Sequence, residues 1–146
     1  MAELRGFQVT YDCGDPARVG EFWAEVLGYR TDPPPEGFTT WPEALKAFGV
    51  PEQEWTSAYA VVPPEGKDGP RLFFQRVPEA KSAKNRLHLD VRVSDRGQPV
   101  ADQERAVLAE VERLEALGAE RRDWVQDIGK HFMVMADVEG NEFCLT

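Results

Sequence analysis

The feature that most constrains this chain is an order of elements that occurs twice. The segment Gly6-Phe7-Gln8-Val9-Thr10-Tyr11-Asp12-Cys13 puts Phe7, Val9 and Tyr11 on one face and Gln8, Thr10 and Asp12 on the other. That period of two is the pattern of a strand. Asp15-Pro16 follows, a helix cap with proline at the first helical position. Val19, Phe22, Trp23, Val26 and Leu27 then recur at helical spacing, and Gly28 closes the helix. The second half repeats the scheme. Leu87, Leu89, Val91 and Val93 alternate with Arg86, His88, Asp90 and Arg92, which predicts a strand over 85–93. A helix over 100–117 follows, with Val107, Leu108, Val111, Leu114 and Leu117 on one stripe and Gly118 at its end. The two helices even finish alike, Glu25-Val26-Leu27-Gly28 and Glu115-Ala116-Leu117-Gly118.

The rest of each half reads as three more strands. In the first half a short strand begins at Tyr29 and dissolves into Pro33-Pro34-Pro35, a short helix spans 42–49, and strands span 57–62 and 71–77. Proline and glycine between Pro63 and Pro70 make those two strands a hairpin. In the second half the strands span 119–126, 131–136 and 141–146, and the polar stretch 78–84 is the linker. The fold class is therefore α+β. Two tandem βαβββ modules, about 5–80 and 85–146, form a single domain over 1–146. They are expected to build a curved, partly open mixed sheet around a cavity, with the helices outside. The polar faces near Gln8 and His88 would line that cavity, where ligands bind.

Composition limits the partners. Seventeen Lys and Arg against 26 Asp and Glu give a net charge of −9 over 146 residues. Such a surface repels phosphate backbones, so nucleic acid is a poor partner and a cationic ligand is mildly favoured. No apolar run approaches the ~18 residues of a membrane span, and the first six residues carry no apolar leader. Two cysteines, Cys13 and Cys144, make no C-x-x-C pair, which fits a reducing, cytoplasmic setting.

Gln8-Val9-Thr10-Tyr11-Asp12, Phe22-Trp23 and Leu27-Gly28-Tyr29, taken in order, resemble the first module of the vicinal oxygen chelate superfamily. That superfamily holds glyoxalase I, bleomycin-resistance proteins and extradiol dioxygenases. The second module is similar through His88-Leu89-Asp90-Val91-Arg92-Val93, Leu117-Gly118-Ala119 and Ala136-Asp137-Val138-Glu139-Gly140-Asn141-Glu142-Phe143. Arg71 to Glu79 and Lys84 to His88 look like a glyoxalase-like domain subgroup. The resemblance implies four metal-ligand positions, which fall on Gln8, Gln75, His88 and Cys144. The family's usual set is His or Gln, Glu, His and Glu, so both carboxylates are missing here. A divalent ion such as zinc, nickel or iron would then lack compensating charge unless Cys144 ionised.

Several residues have two readings. His88 on a polar strand face is a ligand contact, a structural hydrogen-bonder or a catalytic base. Glu142 shares parity with Cys144 and is a candidate acid or base. Gln8, Asp12, Gln75, Asp90 and Arg92 would face the ligand, unless Asp90 and Arg92 merely pair. Trp23 belongs to the core, whereas Trp41, Trp55 and Trp124 lie near loop or strand ends, where indoles stack on flat ligands. Arg71, Arg76, Lys81, Lys84 and Arg86 form a basic stretch that is a solvated rim or a seat for an anion. His131 reads as a surface residue. The functional expectation is a small-molecule binder of the bleomycin-resistance type, holding an aromatic or cationic ligand without a typical metal centre. The alternative is a divalent-metal-dependent lyase, isomerase or dioxygenase of the glyoxalase superfamily. A homodimer is expected in either case.

Overall fold

A computed structural model describes residues 2–127 and 130–146. The chain forms two compact units, 1–80 and 81–146, divided inside the stretch read as a linker. Unit 1 contains β1 (Val9–Cys13), α1 (Pro16–Leu27), β2 (Arg30–Thr31), α2 (Trp41–Ala47), β3 (Ala58–Val62) and β4 (Leu72–Arg76). Unit 2 contains β5 (Asp90–Val91), α3 (Val100–Ala116), β6 (Glu120–Asp127), β7 (Lys130–Ala136) and β8 (Glu142–Leu145). Each unit has one open, mixed, four-stranded sheet. The strand orders, β1-β4-β3-β2 and β5-β8-β7-β6, are the same topology used twice. In each, the first strand pairs parallel with the last, and the other pairs are antiparallel.

Unit 1 is organised by α1. The Asp15 carboxylate accepts from the Arg18 amide at 3.2 Å, and Gly28 ends the helix at φ 67°, a conformation glycine adopts without strain. Val19 and Trp23 are fully buried against Val61, Leu72 and Phe74 of the sheet. Tyr11 stacks on Phe74 at 5.2 Å and lies 5.4 Å from Trp23. Gly20 lets α1 lie close to β3, because a Cβ there would sit 2.3 Å from Tyr59 Cδ1. The opposite sheet face bears Thr10, Asp12, Phe73, Gln75, Ala58 and Ala60.

Unit 2 buries Val107, Val111 and Leu114 of α3 with Met133, Met135, Phe143 and Leu145. Leu108 and Leu117, assigned to the same stripe from sequence, are instead more than 40% exposed; the buried arc is narrower than the apolar one. The strand expected over 85–93 shrinks to Asp90–Val91. Asn85 explains the difference: its amide and side chain donate to Glu142, and its side chain also donates to the Leu87 carbonyl. Those bonds, two of them across to β8, tie the start of the segment outside the ladder, and Leu87 is left 69% exposed.

Candidate functional site

The open face of the unit 1 sheet is set up by its small residues. Ala58 and Ala60 leave room above β3, and the chain between β2 and β3 lays Trp41, Leu45 and Trp55 over that gap. Both indoles are anchored through their N–H groups, Trp41 to the Asp32 carbonyl at 2.7 Å and Trp55 to the Val50 carbonyl at 2.9 Å. A capping box between Thr40 and Glu43 fixes α2 and thereby Trp41. With Phe73 these groups enclose a mainly apolar cavity of about 120 Å³.

Arg71 forms the polar edge of that cavity. Its Nε donates to Asp32 Oδ2 at 2.9 Å and its Nη1 to Gln8 Oε1 at 3.1 Å, while its guanidinium lies 5.2 Å from the Phe73 ring centre. Arg71 is therefore held at both ends of its fork and over an aromatic face. Of the sequence candidates, Trp41 and Trp55 line this pocket and Gln8 steadies its arginine. Leu45, Ala58, Ala60 and Phe73 were missed, because isolated alanines and a strand phenylalanine carry no signal until the sheet is assembled. In the sequence Arg71 stands out as the first residue of a basic stretch. That stretch is largely consumed within the fold: Arg76 donates to the Thr56 carbonyl at 2.8 Å and Lys81 lies 3.3 Å from Glu142.

The parallel register of β1 and β4 separates the two glutamines. Val9 pairs with Leu72 and Asp12 with Gln75, so Gln8 lies level with Arg71. Gln75 lies four residues further along, roughly 13 Å at strand rise. Gln8 and Gln75, two of the positions implied by resemblance, are therefore held apart along the sheet in this structure. The guanidinium at Gln8 also opposes a cation there. Gln75 instead bonds Asp12, 2.7 Å from amide to carboxylate.

Unit 2 brings together another group. Asp90 lies opposite Cys144 in the parallel β5–β8 pair. His88, two residues before Asp90, places its Nε2 3.3 Å from Asp90 Oδ1. Donor atoms of His88, Asp90 and Cys144 all lie within 4.8 Å of one another. Burial and then the Asp90 carboxylate push the Cys144 thiol up to about 11, with Lys84 opposing. The three residues border a polar cavity of about 560 Å³ that also reaches Ser94, Gln103 and His131. His131 is not simply a surface group: its Nδ1 is 3.1 Å from Glu104 on α3. Asp90 had been weighed against Arg92 as its ion-pair partner; its partner here is His88, and Arg92 is exposed.

Glu142 is occupied structurally. Burial raises its carboxyl, but hydrogen bonds from its own amide, the Asn85 amide and the Lys81 ammonium outweigh this and hold it below the ordinary range. An ionised, three-times-bonded carboxylate is a weak proton donor or acceptor near neutrality. Trp124 pairs with Met133, on the same face as His131, whereas Cys144 pairs with Val134 on the other face. Trp124 is not among the residues that border the polar cavity.

A family model for the glyoxalase-like domain matches residues 8–146. The chain belongs to the glyoxalase-like domain family. This glyoxalase-like chain is similar to FosX, a genomically encoded fosfomycin resistance protein of Listeria monocytogenes, at 12% identity and a TM-score of 0.62, over 98% of this chain and 90% of that one. It is also similar to a glyoxalase/bleomycin resistance protein/dioxygenase family enzyme from Burkholderia phytofirmans, at 16% identity and a TM-score of 0.58, over 94% of both chains. A hypothetical protein of S. aureus, SA1046, matches at 10% identity and a TM-score of 0.58, over 99% of this chain and 97% of that one. These likenesses show the fold, and with the family model they place the chain in the vicinal oxygen chelate superfamily. No curated protein matches it.

Proposed function

We propose that this glyoxalase-like chain is a small-molecule-binding protein that seats a single planar aromatic ring in the unit 1 pocket. The observation that carries the reading is the pair of anchored indoles, Trp41 and Trp55, set over Ala58, Ala60 and Phe73. An apolar cavity of about 150 Å³ accepts benzene, so a cavity of about 120 Å³ suits one ring. Arg71 supports an oxygen on that ring, as a phenol or carboxylate, because its guanidinium keeps further donors beyond those given to Asp32 and Gln8. The net charge of −9 favours cations at a distance, but salt screens it within about 8–10 Å. At the pocket the cation position over Phe73 is already taken by Arg71. A homodimer in a reducing cytoplasm belongs to the same reading, supported by two free cysteines and the exposed Phe7 and Leu87; light scattering at the single-chain mass would overturn the dimer.

Tryptophan fluorescence tests the ligand. Single-ring aromatic acids and phenols should quench it saturably, and matched aromatic amines should do so less. Trp41→Ala or Trp55→Ala should cost about 2 kcal/mol of binding, the scale of a buried aromatic anchor. Arg71→Met should weaken the acids selectively, and Trp124→Phe should leave the response intact. Flat titrations across all three ligand classes, or a preference for the amines, would sink the proposal.

One observation favours a second reading, the metal-dependent lyase, isomerase or dioxygenase. It is the His88–Asp90–Cys144 group. The Listeria FosX structure was obtained with Mn(II) and 1S,2S-dihydroxypropylphosphonic acid. A metal in this chain would polarise a substrate oxygen, and His88, Asp90 and Cys144 would be the residues to hold it.

A further inference from the structure

We infer that Asp32 determines which ring the unit 1 pocket prefers: by neutralising Arg71 it selects a ring with a neutral oxygen, a phenol, over a ring with a carboxylate. This rests on the ring-binding reading of that pocket and narrows it to one class of ligand. Asp32 is not among the residues that line the cavity. It is a positioning residue that acts through Arg71 and Trp41.

Asp32 follows β2 directly, and its backbone is spent on the pocket. Its amide donates to the Ala60 carbonyl at 2.9 Å, and its carbonyl accepts from the Trp41 indole at 2.7 Å. Floor and wall thus meet at one residue. Its carboxylate reaches the polar edge as well, accepting from Arg71 Nε at 2.9 Å.

Among the described residues Arg71 is the charged group that lines the cavity, and Asp32 already offsets its charge. The two side chains are only 34% and 21% exposed, so salt screens them less than an open surface pair. Gln8, on Nη1 at 3.1 Å, brings no charge of its own. A ligand carboxylate at this edge would meet the attraction of Arg71 and the repulsion of Asp32 together, while still losing its water. The shape of the guanidinium works in the same direction. A carboxylate binds arginine best through two parallel N–H groups. Asp32 holds Nε and Gln8 holds Nη1, which leaves Nη2 as the nitrogen with no partner among the described residues. A phenol oxygen needs a single donor, and a neutral ring costs less to move from water into a mainly apolar cavity.

The test titrates the full chain with phenol and with benzoate at pH 7, followed by tryptophan fluorescence. The wild type should bind phenol more tightly than benzoate. Asp32→Asn keeps the backbone bonds to Ala60 and Trp41 and leaves an acceptor for Arg71, but removes the charge. It should raise the ratio of benzoate to phenol affinity about tenfold, or ~1.4 kcal/mol, whereas a merely structural role would weaken both ligands together. Asp32→Glu returns the charge and should return the ratio toward the wild-type value. Gln8→Glu brings a second carboxylate to the same guanidinium and should lower the ratio, which keeps the test decisive even if Asp32→Asn does not fold. Glu21→Gln makes the same change of net charge at an exposed position of α1 and should not move the ratio. A wild type that prefers benzoate overturns the inference, as does a ratio indifferent to Asp32→Asn and Gln8→Glu, or one moved equally by Glu21→Gln; ring binding would survive each of these. Flat titrations with both ligands would instead remove ring binding itself, and this inference with it.

Discussion

Gln75 donates its side-chain amide to Asp12 at 2.7 Å, straight across the parallel β1–β4 pair. Both residues are exposed, so the pair acts as a cross-strand clasp on the open sheet face. Gln75→Glu would set two carboxylates against each other. It should lower stability at pH 7 by about 0.2–1 kcal/mol, the size of a cross-strand pair's contribution. The loss should shrink near pH 4, where one carboxylate takes a proton, and Gln75→Glu with Asp12→Asn should restore the bond. Urea denaturation of the four chains at both pH values measures this. An equal loss at the two pH values would contradict the clasp.

Gly20 should resist substitution although it lies in a helix. Glycine to alanine in a helix interior ordinarily gains up to about 1 kcal/mol. Here the new methyl would stand 2.3 Å from Tyr59 Cδ1 and 3.2 Å from Phe74 Cδ2. Tyr59 cannot simply swing away, since its hydroxyl lies 2.7 Å from Thr31 Oγ1. Overpacking of this kind costs about 1–3 kcal/mol, so Gly20→Ala should be net destabilising. Adding Tyr59→Leu should make the combined loss smaller than the sum. Thermal melts of the single and double variants provide the comparison.

Asp137 is the most consequential buried carboxylate among the described residues, at 3% exposure. Its Oδ1 accepts from the amides of Glu139 and Asn141 at 2.9 and 3.0 Å, and the Asn141 side chain bonds both its oxygens. These bonds form the turn from β7 into β8, where Gly140 holds φ 88°. Asp137→Ala strands those donors and should cost about 3 kcal/mol. Asp137→Asn keeps one acceptor oxygen and should cost less. If alanine and asparagine prove equal in chemical denaturation, the turn is not held by this carboxylate.

One pH effect has a clear sign. The Arg121 hydrogen bond holds the Glu115 carboxyl below its ordinary range, and Arg121 is raised in turn. A lowered carboxyl binds its proton more weakly folded than unfolded. The contribution is therefore present above the unfolded value near pH 4.3 and is lost as pH falls through the folded one. Glu115→Gln should flatten the part of the stability curve just below pH 4 and change little at pH 7 in high salt. Melts of wild type and variant from pH 7 to pH 2.5, at low and high salt, test it. Curves that stay parallel throughout would remove the ion pair from the account.

Much of this architecture is legible in the amino-acid order. Val19, Trp23 and Val26 announce α1, Gly28 its end, and Asp15-Pro16 its start, because these are local rules. The repeat of Leu-Gly after each helix shows the duplication. The register does not announce itself. Gln8 and Gln75 both lie on polar faces, and only the pairing of Asp12 with Gln75 shows them four residues apart. His88, Asp90 and Cys144 each stand out in the sequence, but the nearness of Asp90 to Cys144 is set across strands and periodicity does not carry it. The 85–93 alternation misled for another reason. Asn85 spends its hydrogen bonds on Glu142 and Leu87, a long-range choice that periodicity cannot express.

The two units share one topology, yet among the described residues only the first carries a helix between its second and third strands. The duplicated plan therefore leaves each copy free to be shaped by a different part of the chain. The segment 33–56 supplies Trp41, Leu45 and Trp55 to the unit 1 pocket, so exchanging it would change that pocket's walls. A laboratory seeking a new ligand preference in this scaffold has a natural cassette, with Asp32 and Ser57 as its two splice points.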